Sequence, residues 1–194
     1  MICMTGNKRP GFTVVEMLVA ITIFSTIAVI MAQTFVGFNQ LHRRVAYTAT
    51  LGQDARFLNE LITREARNKM VDYSAGPILP HDTQLSLISR DGTQTIRIAL
   101  LEPSSGFCGI LAVRCVGVSN DNGVTWNPIT SNRVNVKQFD IYVRPTNDPF
   151  NQLAPENDQP FVTVTTKFEY FSDNPKERPQ LQTQTTAASR MYLR

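Results

Sequence analysis

Between Met17 and His42 the chain carries no Asp, Glu, Lys or Arg. A helix over those 26 residues would be about 39 Å long at the α-helical rise, enough to cross the hydrocarbon core of a bilayer with some tilt. Past His42 the pattern changes but the period does not. Leu51, Asp54, Leu58, Leu61, Ile62, Glu65, Ala66 and Met70 keep a 3.6-residue rhythm, while Gln53, Arg56, Asn59, Glu60, Arg64 and Arg67 fill most of the other faces. No Pro occurs between Phe12 and Ala75, and the only glycines there are Gly37 and Gly52. The pattern predicts one helix from about Phe12 to Val71, apolar all round at first and amphipathic later.

Gly76-Pro77 and Pro80 end that helix, and period-2 signals take over. Leu85–Ile88 and Thr95–Leu100 flank Asp91-Gly92, a dipeptide suited to a tight hairpin turn. Ile110–Val118 reads as a third strand. Phe139–Val143 and Val162–Tyr170 alternate cleanly, and the Thr- and Gln-rich tail from Leu181 to Leu193 is suited to a closing strand. Between Arg144 and Pro160 lies a long segment with Pro145, Pro149, Pro155 and Pro160, of the kind that is usually functional or mobile in a small domain. A long helix followed by strands in series predicts an α+β fold, with an antiparallel sheet packed on the amphipathic half of the helix.

One charge breaks the pattern. Glu16 lies just inside the N-terminal edge of the apolar run, where an unpaired carboxylate costs several kcal/mol, so a functional reason for it is the default. Cleavage after Gly11 would free an α-amine on Phe12, and that amine could neutralise Glu16 of a neighbouring copy.

The residues Gly11-Phe12-Thr13-Val14-Val15-Glu16, preceded by Lys8-Arg9-Pro10 and followed by Met17-Leu18-Val19-Ala20-Ile21, resemble the class III signal of type IV pilins and type II secretion pseudopilins. The resemblance is close over roughly residues 8–40 and looser to about residue 70. It implies a prepilin peptidase cutting between Gly11 and Phe12, N-methylation of Phe12, and assembly with other pilins or pseudopilins through an inner-membrane platform protein. The implied division is a leader over 1–11, a transmembrane and filament-core helix over 12–42, an exported helical half over 43–75 and a β-rich head over 76–194. Many major pilins have a proline about two-thirds along the membrane segment. Gln33 stands thereabouts here, which favours a minor pilin or minor pseudopilin. An ordinary secretory signal, cut near Ile30-Met31-Ala32, would be shorter and would be interrupted by Glu16. A plain single-pass anchor accounts for the length but not for Gly11, Phe12 or Glu16.

Lys8 and Arg9 favour a cytoplasmic N-terminus, with His42-Arg43-Arg44 pulling weakly the other way. The resemblance decides for an inner-membrane protein whose head is periplasmic or extracellular. The formal charge of +3 falls further when the leader leaves, so no nucleic-acid surface is indicated by charge. Cys3 leaves with the leader. Cys108 and Cys115 then form an even pair in an exported region: a disulfide is one reading, and two small buried residues of one strand, too far apart to bond, is the other.

Ser119-Asn120-Asp121-Asn122-Gly123-Val124-Thr125-Trp126 fits S-x-D-x-G-x-T-W, and resembles the Asp-box best known from sialidases. Its physical logic is that of a turn, with Ser119 and Thr125 as its other fixed positions: Asp121 accepts from turn amides, Gly123 supplies positive φ, and the Trp126 indole anchors the loop. A glycan or calcium contact at Asp121 is the functional alternative. Asp148, Glu156, Asn157 and Asp158 are candidate ligands for a structural calcium, with solvated loop carboxylates as the plainer reading. No nucleophile elbow, phosphate loop or Cys/His metal spacing occurs, so no catalytic role is expected. The two functional classes are a structural subunit aiding assembly of a pilus or pseudopilus and a membrane-anchored glycan-binding or glycan-cleaving protein.

Overall fold

The computed structural model describes residues 11–75, 82–109, 113–149 and 158–190. Among these residues one α-helix, α1 (Val14–Asn68), is followed by eight strands: β1 (Met70–Val71), β2 (Gln84–Ile88), β3 (Thr95–Leu101), β4 (Cys115–Ser119), β5 (Asn127–Pro128), β6 (Val134–Arg144), β7 (Phe161–Tyr170) and β8 (Gln180–Ala188). By its contacts the chain divides into two compact units, Met1–Arg43 and Arg44–Arg194. The long apolar helix and the antiparallel strands after it make the α+β architecture that the sequence pattern predicts, consistent with the pilin-like fold that the resemblance implies.

In the first unit α1 is exposed on every side from Val14 to Arg43, with Phe24, Met31 and Phe35 each about two-thirds or more exposed. A helix apolar all round is stable only in a membrane or a bundle. Its hydroxyls are already accommodated: Thr22, Thr26 and Thr34 each donate to a backbone carbonyl three or four residues upstream, at 2.8 Å. No side-chain hydroxyl of these three would enter hydrocarbon unpaired.

In the second unit the helix stripe is Leu51, Ala55, Leu58, Ile62 and Ala66, all buried. Leu51, Leu58, Ile62 and Ala66 fall where the 3.6-residue rhythm places them. Ala55 is small enough to be overlooked as a core position. Tyr47 stacks on Tyr170 with ring centroids 4.1 Å apart, and Asp54 accepts from the amide (2.7 Å) and hydroxyl of Ser131, tying the helix to the entry of β6.

The strands form two sheets rather than one. The first runs β1-β2-β3-β4-β5 and the second β6-β7-β8, with every pairing antiparallel. The divide falls between β4 and β6. Beside β4 lies the two-residue β5, which ends in Pro128, and among the described residues the outer side of β6 meets isolated groups: Val136 N–H donates to Arg114 O at 3.0 Å, Arg114 donates from Nη2 to Lys137 O, and Ile141 bridges Asp82. Along β6 a bulge between Val136 and Gln138 reverses the parity, so Val134 and Val136 point inward before it and Phe139, Ile141 and Val143 after it.

Three further differences are local. The turn between β2 and β3 spans Ser89 to Gln94 instead of two residues, because Asp91 gathers the Ser89 hydroxyl and the Thr93 amide and hydroxyl into a wider loop; Gly92, at φ 70°, supplies its left-handed step. That cluster of donors lowers the Asp91 carboxyl from 3.8 to about 2. Strand β4 starts at Cys115, not Ile110; residues 110–112 lie outside the described set, as do the Gly76-Pro77 and Pro80 breaks. The closing strand begins at Gln180 and ends at Ala188.

Cys108 and Cys115 are joined, with Sγ atoms 2.08 Å and Cα atoms 5.5 Å apart. Cys108 lies in the loop before β4 rather than on the strand, so the two Cα atoms are free to approach. The bridge packs with Leu101 and Trp126 in a small second core. At the interface of α1 with β7 and β8 the packing turns polar. Thr63 and Thr185 hydroxyls meet at 3.4 Å, while Asn59 Oδ1, Thr166 Oγ1 and Thr183 Oγ1 are buried with no partner among the described residues.

Candidate functional site

Helix α1 starts at Val14, which makes Thr13 its N-cap and Glu16 its third helical residue. Glu16 N–H donates to Thr13 Oγ1 at 3.3 Å. In return Glu16 Oε2 accepts from both the amide and the hydroxyl of Thr13, each at 3.2 Å. This is the reciprocal capping box, which satisfies two of the orphan amides at a helix start. It also places the carboxylate beside the positive end of the helix dipole. The sequence signal, Thr13-x-x-Glu16, was open to reading; assigning Glu16 to a neighbouring subunit alone passes over it.

Just before the cap, Phe12 is 86 % exposed, and no described residue lies within 4 Å of where a side chain at Gly11 would start. Residues 1–10, including Lys8 and Arg9, lie outside the described residues. The longest apolar helical stretch has a mean hydropathy of 2.4 over an 18-residue window, none of it buried, so the helix is long and apolar enough to cross a membrane.

The Ser119–Trp126 segment forms a closed turn. Asp121 Oδ1 accepts from the Ser119 hydroxyl (2.6 Å), Val124 N–H (3.1 Å) and Thr125 N–H (2.9 Å), and Oδ2 accepts from the Thr125 hydroxyl. Asn122 and Gly123 carry the positive φ values, 63° and 95°. Trp126 donates from Nε1 to Gly123 O at 3.0 Å and lays its ring against Leu101 and the disulfide. With its oxygens committed to the turn, and the Ser119 and Thr125 hydroxyls foremost among the donors, the Asp121 carboxyl is held far below the usual range. Such a carboxylate is a structural acceptor with little capacity left for a ligand.

Asp148 and Asp158 are described, whereas Glu156 and Asn157 are not. Among the described residues no group of three or more His, Cys, Asp or Glu side chains could hold a metal ion. Near Asp148, Tyr73 donates its hydroxyl to Pro145 O at 3.0 Å. Burial first, and the charge of Asp148 second, push that phenol up to about 12, so it stays a protonated anchor.

Residues 6–32 match the family model of the prokaryotic N-terminal methylation motif, the class III signal peptide of type IV pilins. No curated protein and no solved structure matches the chain. The motif supports a type IV pilin-like or pseudopilin protein, and the long apolar helix followed by antiparallel sheets is consistent with that. The motif implies processing by a prepilin peptidase and assembly with other pilins in a membrane-associated system, and it points to a structural rather than an enzymatic subunit.

Proposed function

We propose that the protein is a minor pilin or minor pseudopilin, a subunit that assists assembly of a type IV pilus, competence pilus or type II secretion pseudopilus. The observation that carries this reading is the conjunction at the start of α1. A Gly-Phe bond lies four residues before a carboxylate, and that carboxylate opens a helix whose next 26 residues have no charge. Cleavage between Gly11 and Phe12 and methylation of the new Phe12 amine would leave a cation within reach of a neighbour's Glu16. In a low-dielectric helix bundle that pair fixes register, because a misplaced subunit leaves a charge buried and unpaired. The leader over 1–11, the membrane helix over 12–42, the exported half over 43–75 and the head over 76–194 follow from the same reading, with the N-terminus cytoplasmic. Prepilin peptidase, sibling pilins and the platform protein are the partners.

Glu16→Gln tests it. The variant should be cleaved and membrane-inserted like the parent, since neither step needs the charge, and should fail to crosslink to sibling subunits or to enter sheared filaments. A mature chain that begins elsewhere than Phe12, or a Glu16→Gln variant that enters filaments normally, overturns the reading.

A further inference from the structure

Among the described residues strand β8 is an edge. Its pairing with β7 runs without interruption from Phe161↔Ala188 to Glu169↔Gln180. Beyond each end, Tyr170 N–H donates to Pro179 O (3.0 Å) and Ser189 N–H to Pro160 O (2.9 Å). Those bonds set the phase: odd-numbered residues face β7, so the amides and carbonyls of Gln180, Gln182, Gln184, Thr186 and Ala188 point away from the sheet. The same five residues are exposed. Arg190, next in that phase, donates its amide to Arg67 O at 3.4 Å, and there the helix closes the edge.

Proteins usually guard such a row of free groups with Lys, Pro, a bulge or brevity. Here the nine residues contain no charge, no Pro and no Gly, and the strand has no bulge. The other sheet ends are guarded: β1 and β5 have two residues each, β5 ends in Pro128, and β6 is met on its outer side by Asp82 and Arg114. Two cations flank the open edge, Arg178 and Arg190. Arg178 donates from Nε to Ser172 O at 2.7 Å, lies over the Phe171 ring and lends charge to Glu169, but neither arginine is in an ion pair with a carboxylate among the described residues.

These charges select the occupant. A second copy pairing antiparallel about Gln184 would set Arg178 opposite Arg190 at both ends, a like-charge arrangement that destabilises a strand pair. We propose that β8 accepts an extended segment of another protein, neutral along about nine residues and acidic at each end, as a fourth strand beside β6-β7-β8. Backbone bonds to the five outward groups give the affinity, and the flanking arginines choose the partner. The inference goes beyond the filament reading and stands without it.

The full-length chain in detergent micelles, followed by residue-resolved hydrogen exchange, tests this. The probe is a synthetic peptide of alternating Thr and Val with a Glu at each end, compared with the same peptide ended in Lys. The Glu-ended peptide should slow exchange at Gln182, Gln184 and Thr186 by about tenfold or more, and the Lys-ended one much less. Gln184→Pro removes an outward amide without touching the β7 ladder and should abolish the effect. The pair Arg178→Gln with Arg190→Glu should reverse the preference, which keeps the test decisive if Gln184→Pro disturbs the strand. No slowing with either peptide, equal slowing with both, or a preference that survives the charge reversal overturns the proposal.

Discussion

The Glu16 carboxylate closes on Thr13, accepting its amide and its hydroxyl at 3.2 Å each, while Thr13 Oγ1 takes the Glu16 amide at 3.3 Å. The same carboxylate that is proposed to meet a neighbour's Phe12 amine thus has polar company within its own chain. That lowers the cost of holding it near hydrocarbon before any neighbour arrives. It does not neutralise it, because amides and hydroxyls solvate a charge without cancelling it.

Thr13→Val should therefore weaken the helix start, while Thr13→Ser should not. Losing an N-cap hydroxyl costs about 1 kcal/mol. Hydrogen exchange at the amides of residues 14–17 in micelles should accelerate several-fold in the valine variant, as that energy converts to rate. Equal exchange in Val and Ser variants would show that the cap does not hold in solution.

Gly117 allows β4 to sit under the second core. A Cβ there would lie 2.5 Å from Leu101 Cδ1, 3.3 Å from Leu101 Cγ and 3.4 Å from Trp126 Cε3. Leu101 would have to move, and Trp126 with it. Gly117→Ala should cost about 1–3 kcal/mol, as overpacking does. Chemical denaturation measures the loss, and the Trp126 emission should shift as its ring leaves the Leu101–disulfide contact.

The course of α1 was legible because its two halves keep one period and no Pro interrupts it. The β6–β7 hairpin was legible only in part. Phe139, Ile141 and Val143 alternate with polar neighbours, but the bulge after Val136 switches parity, so Val134 and Val136 fall out of phase with them. No period-2 template spans both halves. The division into two sheets was not legible either, since it depends on which groups meet across space: Arg114 with Val136, and Asp82 with Ile141. Of the candidate site, Gly11, Phe12 and Glu16 stand out by residue type alone. Thr13 needed the reciprocal spacing to be tested.

Glu169 gives the head an acid-sensitive fastening. Burial alone would raise its carboxyl; the hydrogen bond from Gln180 (2.7 Å) and the contact with Lys137 (3.1 Å) outweigh it, with the charges of Lys137 and Arg178 adding, so the net shift is below the 4.5 of a free glutamate. A depressed folded value means the native state holds fewer protons than the unfolded one in that window. The contribution is complete above about pH 4.5 and is lost as pH falls through the folded value. Glu169→Gln should lower stability at neutral pH and flatten its decline below that pH. Parallel declines in the two proteins would remove Glu169 from the account.

The polar seam between α1 and the β7–β8 pair offers the opposite kind of change. Thr166 and Thr183 face each other across the two strands, and each hydroxyl is buried with no partner among the described residues, as is Asn59 Oδ1. A buried polar group left unpaired costs about 1–3 kcal/mol, whereas an isosteric apolar replacement leaves the packing nearly unchanged. Thr166 is fully buried, so Thr166→Val keeps the volume and the β-branch while deleting the orphan oxygen. It should stabilise the head by about 1 kcal/mol and raise Tm by about 2–4 °C. A fall in Tm would mean that the hydroxyl is satisfied in solution, with an internal water bridging it to Thr183 or Asn59 as the arrangement to seek. Thr183→Val distinguishes the cases: with no water its effect should add to that of Thr166→Val, and with a shared water the second substitution should cost much less than the first.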